Sequence, residues 1–217
     1  MTLRMAREKI DVIDLGCNVA YDAALNTQLE FVERRKNNLC ADTLLLLEHS
    51  AVYTLGRLAD TTNILVSDSD LEKQKIAVFK TNRGGDVTYH GPGQLTGYLI
   101  FDIGAAPSRV AWFVHIIEEA LIRTVAEFGI TAVRDSRNRG IWVNNDKLAA
   151  IGLHVSKGIT MHGFALNVNT DMKAYEGIVP CGLTNAGVTS VSRILNKRVD
   201  VDSVKLALKK AFDDTYR

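Results

Sequence analysis

Arg83 to Tyr98 reads Arg-Gly-Gly-Asp-Val-Thr-Tyr-His-Gly-Pro-Gly-Gln-Leu-Thr-Gly-Tyr, and no other stretch of the chain gathers so many hydrogen-bonding groups. Five glycines and one proline interrupt it, and between them stand an arginine, an aspartate, a threonine, a tyrosine, a histidine and a glutamine. Glycine admits positive backbone φ and lets the main chain come close to a ligand. Loops of this kind, held on a rigid scaffold, typically bind. A plain hairpin turn would also carry glycine, but it needs only about two to five residues. Two further positions hold reactive groups. Lys147 opens the apolar run that ends at Gly152, and Cys181 sits between a rigid proline and a permissive glycine in Ile178-Val-Pro-Cys-Gly182. A thiol displayed on a turn suits nucleophilic catalysis, and a nearby cation would favour its thiolate. The ordinary roles are a solvated lysine and a buried cysteine. Spacing alone does not bring the two together.

Several chemistries are excluded by what is missing. No glycine-rich loop ends in Gly-Lys-Ser/Thr, so a P-loop nucleotide enzyme is not indicated. Gly91-Pro-Gly93 with Gly97 is one residue too long for a dinucleotide fingerprint and leads into a strand, which removes the helix terminus that motif uses. The five histidines, His49, His90, His115, His154 and His162, form no zinc-spaced set, and no metal site is expected. There is no Gly-x-Ser-x-Gly elbow. His115, on a helical stretch, reads as structural.

These residues must be positioned by a chain of 217 residues, enough for one large domain or two small ones. Formal net charge is +1, from 26 basic and 25 acidic residues, which argues against a nucleic-acid binder. The first ten residues mix charges with isolated apolar groups and show no signal-like core. No apolar run approaches the ~18 residues of a membrane span. A cytoplasmic location is expected, and the three dispersed cysteines, Cys17, Cys40 and Cys181, suggest no disulfide framework.

Alternation predicts strands over Lys9–Leu15, Thr43–Leu47, Ala51–Leu55, Ile76–Thr81, Gln94–Ile103, Thr131–Arg134, Gly140–Val143, Lys147–Ser156 and Thr160–Val168. Helical spacing predicts Ala20–Arg35 with Asn18 as N-cap, and Ser108–Phe128 with Ser108 as cap and Gly129 as stop. Two closing helices are expected at Val188–Leu195 and Val201–Phe212. Strands cluster without regular alternation with helices, which favours α+β over a doubly wound sheet.

Four blocks then stand in a telling order: residues 83–94, Lys-Leu-Ala-Ala-Ile-Gly (147–152), Met-His-Gly-Phe-Ala-Leu-Asn-Val (161–168) and Pro-Cys-Gly (180–182). Together with Gly187-Val-Thr-Ser190 they resemble the lipoyl(octanoyl) transferase family, from about Leu15 to Leu195. One departure is Tyr98-Leu99, where the family usually has Tyr-Pro. The resemblance implies a biotin/lipoate protein ligase-like α+β fold, a mixed central β-sheet flanked by helices, forming one catalytic domain over residues 1–217. It implies transfer of an octanoyl group from acyl carrier protein to a lysine of lipoyl domains, those of 2-oxoacid dehydrogenase E2 subunits and of the glycine cleavage H protein. Cys181 matches the nucleophile that carries the acyl thioester, and Lys147 the lysine that activates it. Arg83, Gly84, Gly85, Asp86, Val87, Thr88, Tyr89 and His90 match a substrate-binding segment. So do Ala150, Ile151 and Gly152, and Gly163, Phe164 and Ala165. His162 is a candidate supporting residue. Neither ATP nor a metal is implied, and neither nucleic acid nor membrane is an expected partner. Leu95, Ile151, Phe164 and Leu166 are candidate walls for the acyl chain, each equally suited to the core. Between Arg134 and Lys157 a local excess of three positive charges could steer acidic partners.

Overall fold

The computed structural model describes residues 10–180 and 186–216. Among them a mixed seven-stranded sheet forms the centre. Its strands are β1 (Asp11–Asp14), β2 (Thr43–Leu47), β6 (Gln94–Ile100), β9 (Ile159–Asn167), β8 (Asp146–Ser156) and β10 (Gly187–Val188) in spatial order, with β7 (Gly140–Val143) also paired to β8. The pairs β1–β2 and β8–β10 are parallel, and the others are antiparallel. A second sheet holds β4 (Ala77–Lys80), β3 (Val52–Leu55) and β5 (Val87–His90) in that order.

Two long helices, α3 (Pro107–Ala126) and α5 (Val201–Thr215), cover one face of the larger sheet. Phe113, Ile117, Leu121 and Val125 of α3 recur at helical spacing and are fully buried against Leu95, Leu99, Phe164 and Leu166. Each such side chain contributes roughly 1.5–3 kcal/mol on leaving water. Helix α1 (Tyr21–Lys36) packs on the opposite face, where Ala24 meets Leu45, Leu47 and Tyr98. A short helix, α2 (Asp68–Gln74), is capped by the Ser67 side chain, and α4 (Val191–Leu195) by that of Ser190. No helix among the described residues is long and apolar enough to cross a membrane.

Several local expectations change. The block from Arg83 to Tyr98 is interrupted by a regular strand, since Val87–His90 pairs in register with Val52–Leu55. Asn18 sits at φ 57, and α1 starts after Ala20 with no side-chain cap. Pro107 occupies the first turn of α3, so Ser108 lies inside the helix and Ala106 precedes it. Proline is suited to that place because its missing N–H has no helical acceptor. Thr131–Arg134 makes a single bridge, Val133 to Trp142, and no strand. Val188 belongs to β10, with the helix beginning three residues later.

Candidate active site

Strand β5 carries the division of labour in the glycine-rich block. Side chains alternate across a strand, so Thr88 and His90 line a cleft while Val87 and Tyr89 pack with Tyr53, Leu55, Tyr175 and Ile178. The cleft encloses about 40 Å³ and opens to solvent. Arg83, Gly84, Gly85 and Asp86 line it from one side, and Ala150, Ile151, Gly152, Gly163, Phe164 and Ala165 from β8 and β9. Ala150 lies opposite Ala165 and Gly152 opposite Gly163 in the ladder. Small residues at neighbouring positions leave space that larger ones would fill. Tyr21, Tyr98, Asn138 and His162 complete the wall. Leu95 and Leu166 lie in the main core and do not line the cleft.

Backbone bonds hold the loop in place. Gly84 N–H donates to Leu153 O at 2.9 Å, and Arg57 and Leu58 N–H donate to Arg83 O and Gly85 O. A side chain on Gly152 would put its Cβ 2.8 Å from Gly84 O, so only glycine admits the loop this close to β8. Gly85 adopts φ +87, the left-handed region. Asp86 is occupied structurally, accepting from Val87 N–H at 2.7 Å and from the Asn63 amide at 2.7 Å. Gly84 and Val87 N–H are therefore committed and do not serve as oxyanion donors.

Arg83 is buried, 8 % exposed, and its guanidinium bonds to Thr54 Oγ1, Thr54 O and Gly84 O. His90 has both ring nitrogens engaged, Nδ1 with Gln94 Oε1 at 2.8 Å and Nε2 with Thr54 Oγ1 at 3.3 Å. It braces the site and offers no free nitrogen for proton transfer. Burial, then the neighbouring His49 and Arg83, hold its pKa well below 6.5. Burial first and Arg83 second push His162 down to about 3. His162 Nε2 meets Asn82 Oδ1 at 2.6 Å, and its backbone sits at φ 61. His49 lies behind the wall, bridging Val19 O and the Tyr98 hydroxyl, and burial lowers it to about 4.

Lys147 is 5 % exposed, on β8 beside the cleft. Its Nζ donates to Asn138 Oδ1 at 2.6 Å and lies 5.4 Å from the Trp142 ring centroid. Gly140, at φ +133, gives the lysine stem and Ala149 O room that a Cβ would take. Cys181 and Gly182 lie outside the described residues. The chain on either side is anchored at the cleft. Before it, Val179 N–H donates to Asn63 O, and the Asn63 side chain holds Asp86. After it, Gly187–Val188 pairs with Asp146–Lys147, and Thr189 N–H donates to Lys147 O at 3.0 Å.

The structure adds Tyr21, Thr54, Tyr98 and Asn138 to the residues singled out in the sequence. Nothing in the sequence around Asn138 marks it; only the fold brings it to Lys147. The expected positive excess is partly cancelled, because Arg134 pairs with Glu118 and Glu119, which lie outside that segment. His115 is exposed on α3 and takes no part in the cleft.

Comparison with known proteins places this arrangement. Residues 20–213 match the lipoyl protein ligase A/B catalytic domain. An octanoyltransferase of Alkaliphilus metalliredigens is 48% identical over 192 residues, covering 88% of each chain. One from Caldicellulosiruptor bescii is 48% identical over 197 residues, covering 90% of this chain and 86% of the relative. Among solved structures, a bipartite lipoate protein ligase from Thermoplasma acidophilum superposes with a TM-score of 0.75 at 18% identity, covering 97% of this chain and 84% of that one. That likeness concerns the fold, which is the lipoate ligase one with its mixed sheet flanked by helices. On the match across residues 20–213 and on its close relatives, the chain belongs to the lipoyl protein ligase A/B catalytic domain family.

Proposed function

We propose that this chain is an octanoyltransferase that moves an octanoyl group from the thioester of acyl carrier protein, through Cys181, to a lysine ε-amine on lipoyl domains, those of 2-oxoacid dehydrogenase E2 subunits and of the glycine cleavage H protein among them. The observation that carries the reading is the buried Lys147, held by Asn138 at a cleft that unites three sequence blocks and anchors the chain on both sides of Cys181. Near-half identity to octanoyltransferases over most of the chain supports it.

A free thiol with pKa ~8.5 is only a few per cent thiolate near neutral pH. A cation at contact distance favours the thiolate, and each tenfold gain in the ratio of thiolate to thiol corresponds to about 1.4 kcal/mol. In the first step the Cys181 thiolate attacks the donor carbonyl carbon. The tetrahedral oxyanion collapses, the donor thiolate leaves with a proton from the Lys147 ammonium, which becomes a neutral amine, and the acyl group stays on sulfur. In the second step the acceptor amine attacks that carbonyl, loses a proton to Lys147 and expels the Cys181 thiolate. The donor is already activated as a thioester, and amide formation runs downhill, so neither ATP nor a metal is required. Seven apolar carbons at ~0.8 kcal/mol each supply about 6 kcal/mol for holding the chain in the cleft. All of this falls within a single catalytic domain.

The test is intact-mass analysis after incubation with octanoyl carrier protein. An octanoyl adduct is expected on the wild type and none on Cys181→Ser, and Lys147→Ala should slow adduct formation by at least about tenfold. An active Cys181→Ser that loads free octanoate with ATP would replace this reading with a ligase.

A further inference from the structure

We infer that Gln94 and Thr54, neither of which lines the cleft, are positioning residues: they lock His90 in one tautomer, aim the Arg83 guanidinium through it, and tie the glycine-rich loop to the strand bearing Lys147. Tyr89 O, a carbonyl, can only accept, and it lies 3.0 Å from Gln94 Nε2, which fixes which end of the amide is which. Gln94 Oε1 therefore faces His90, and His90 donates from Nδ1 at 2.8 Å. The lone pair on His90 Nε2 then accepts a hydrogen bond from the Thr54 hydroxyl at 3.3 Å. That leaves the Thr54 oxygen to accept from Arg83 Nε at 3.1 Å and Nη2 at 3.0 Å. Reverse the tautomer, and Nε2–H competes with the arginine for the same oxygen.

The other half of the relay runs toward Lys147. Gln94 Nε2 also reaches Asn167 Oδ1 at 3.0 Å, and the Tyr175 hydroxyl donates to the same oxygen at 3.2 Å. Asn167 Nδ2 donates to Thr189 O at 3.1 Å, and Thr189 N–H donates to Lys147 O at 3.0 Å. Gln94 and Thr54 are fully buried, so water cannot replace a lost partner. The groups facing His90 from the surrounding elements are Tyr21 on α1, His49 after β2, Arg83 on the loop and His162 on β9. Arg83 and the two histidines lower its pKa, the same direction as burial.

This inference rests on the octanoyltransferase reading for its kinetic arm, so the first readout needs no substrate. The ¹⁵N shifts of His90 in the wild type should show a neutral ring protonated at Nδ1; an Nε2–H tautomer overturns the relay. Octanoyl transfer is then followed from about pH 6 to about pH 9 in Gln94→Glu, Thr54→Val and Thr54→Ser. Gln94→Glu puts a carboxylate against Nδ1 and should protonate His90, so kcat should fall about 100-fold, with the deficit growing as pH drops. Thr54→Val should lose a similar factor in kcat, and Thr54→Ser should restore most of it. A Gln94→Glu profile parallel to wild type, or a Thr54→Val enzyme with wild-type kcat, overturns the proposal. Should Gln94→Glu fail to fold, the Thr54 pair and the His90 tautomer decide it. Wild type that shows the expected tautomer but no octanoyl transfer would sink the functional reading and leave the relay standing.

Discussion

Lys147 and Arg83 both bring charge-bearing side chains out of water at the cleft, Arg83 against Thr54 and Gly84 oxygens and Lys147 against the Asn138 amide oxygen and the Trp142 ring. Burying a charge without such partners costs far more than the fold can spare. The histidines solve the same problem differently, by staying neutral. Thr96, like the Gln28 amide nitrogen, departs from this pattern. Its hydroxyl is buried between the Leu47 and Ala165 positions of the sheet and has no hydrogen-bond partner. Valine has the same shape without the unmet donor and acceptor. Thr96→Val should therefore stabilise the protein by about 1 kcal/mol, read as a higher urea midpoint at unchanged m. At this scale the sequence marked Arg83, Thr88, His90 and Lys147 by type and setting. It was silent on Asn138 and Thr54, because a lone asparagine or strand threonine carries no local signal of its partner.

Elements explain why the glycine-rich block works as it does. Its strand, β5, splits the block into cleft-facing Thr88 and His90 and core-facing Val87 and Tyr89. That alternation is visible in Val-Thr-Tyr-His once a strand is assumed, but the surrounding glycines disguise it as one long loop. Gly152 provides a direct test of how the loop meets β8. Gly152→Ala would drive a Cβ toward Gly84 O, 2.8 Å away, a main-chain atom with no flexible end to yield. The loop carrying Arg83 should shift, destabilising the protein by about 1–3 kcal/mol. The same shift should raise KM for the octanoyl donor, measurable in steady-state transfer. The ends of α1 and α3 were less legible, since Asn18 and Ser108 have capping chemistry but the backbone starts each helix elsewhere.

Across the whole molecule, histidine burial links the site to stability. His49 and His162 have folded pKa values near 4 and 3, below the ordinary 6.5. The unfolded chain thus binds more protons below about pH 6.5, and stability falls as pH drops from there toward those folded values. Full protonation would cost on the order of 3 kcal/mol at His49 and about 5 kcal/mol at His162. Carboxylates titrate lower, so the part of the decline above about pH 5 belongs to the histidines. Urea midpoints measured between pH 7 and pH 5 should fall in the wild type, and less steeply in His49→Gln. A flat profile would mean these rings take up protons as readily in the folded state as in the unfolded chain.

Residue order alone established the α+β class, most strands, the long helix α3, the four blocks and the chemistry their side chains permit. These follow from local rules: period-two and period-3.6 patterning, glycine's backbone freedom and the reactivity of a thiol or amine. What only the tertiary structure decided was which groups meet. Strand pairing across β5, β3, β6 and β9 brings Arg83, Thr54, His90, Gln94 and Asn167 into one hydrogen-bonded chain, though they lie up to 113 residues apart between Thr54 and Asn167. Such contacts depend on long-range register and burial, and those are properties of the assembled core, not of any window of sequence.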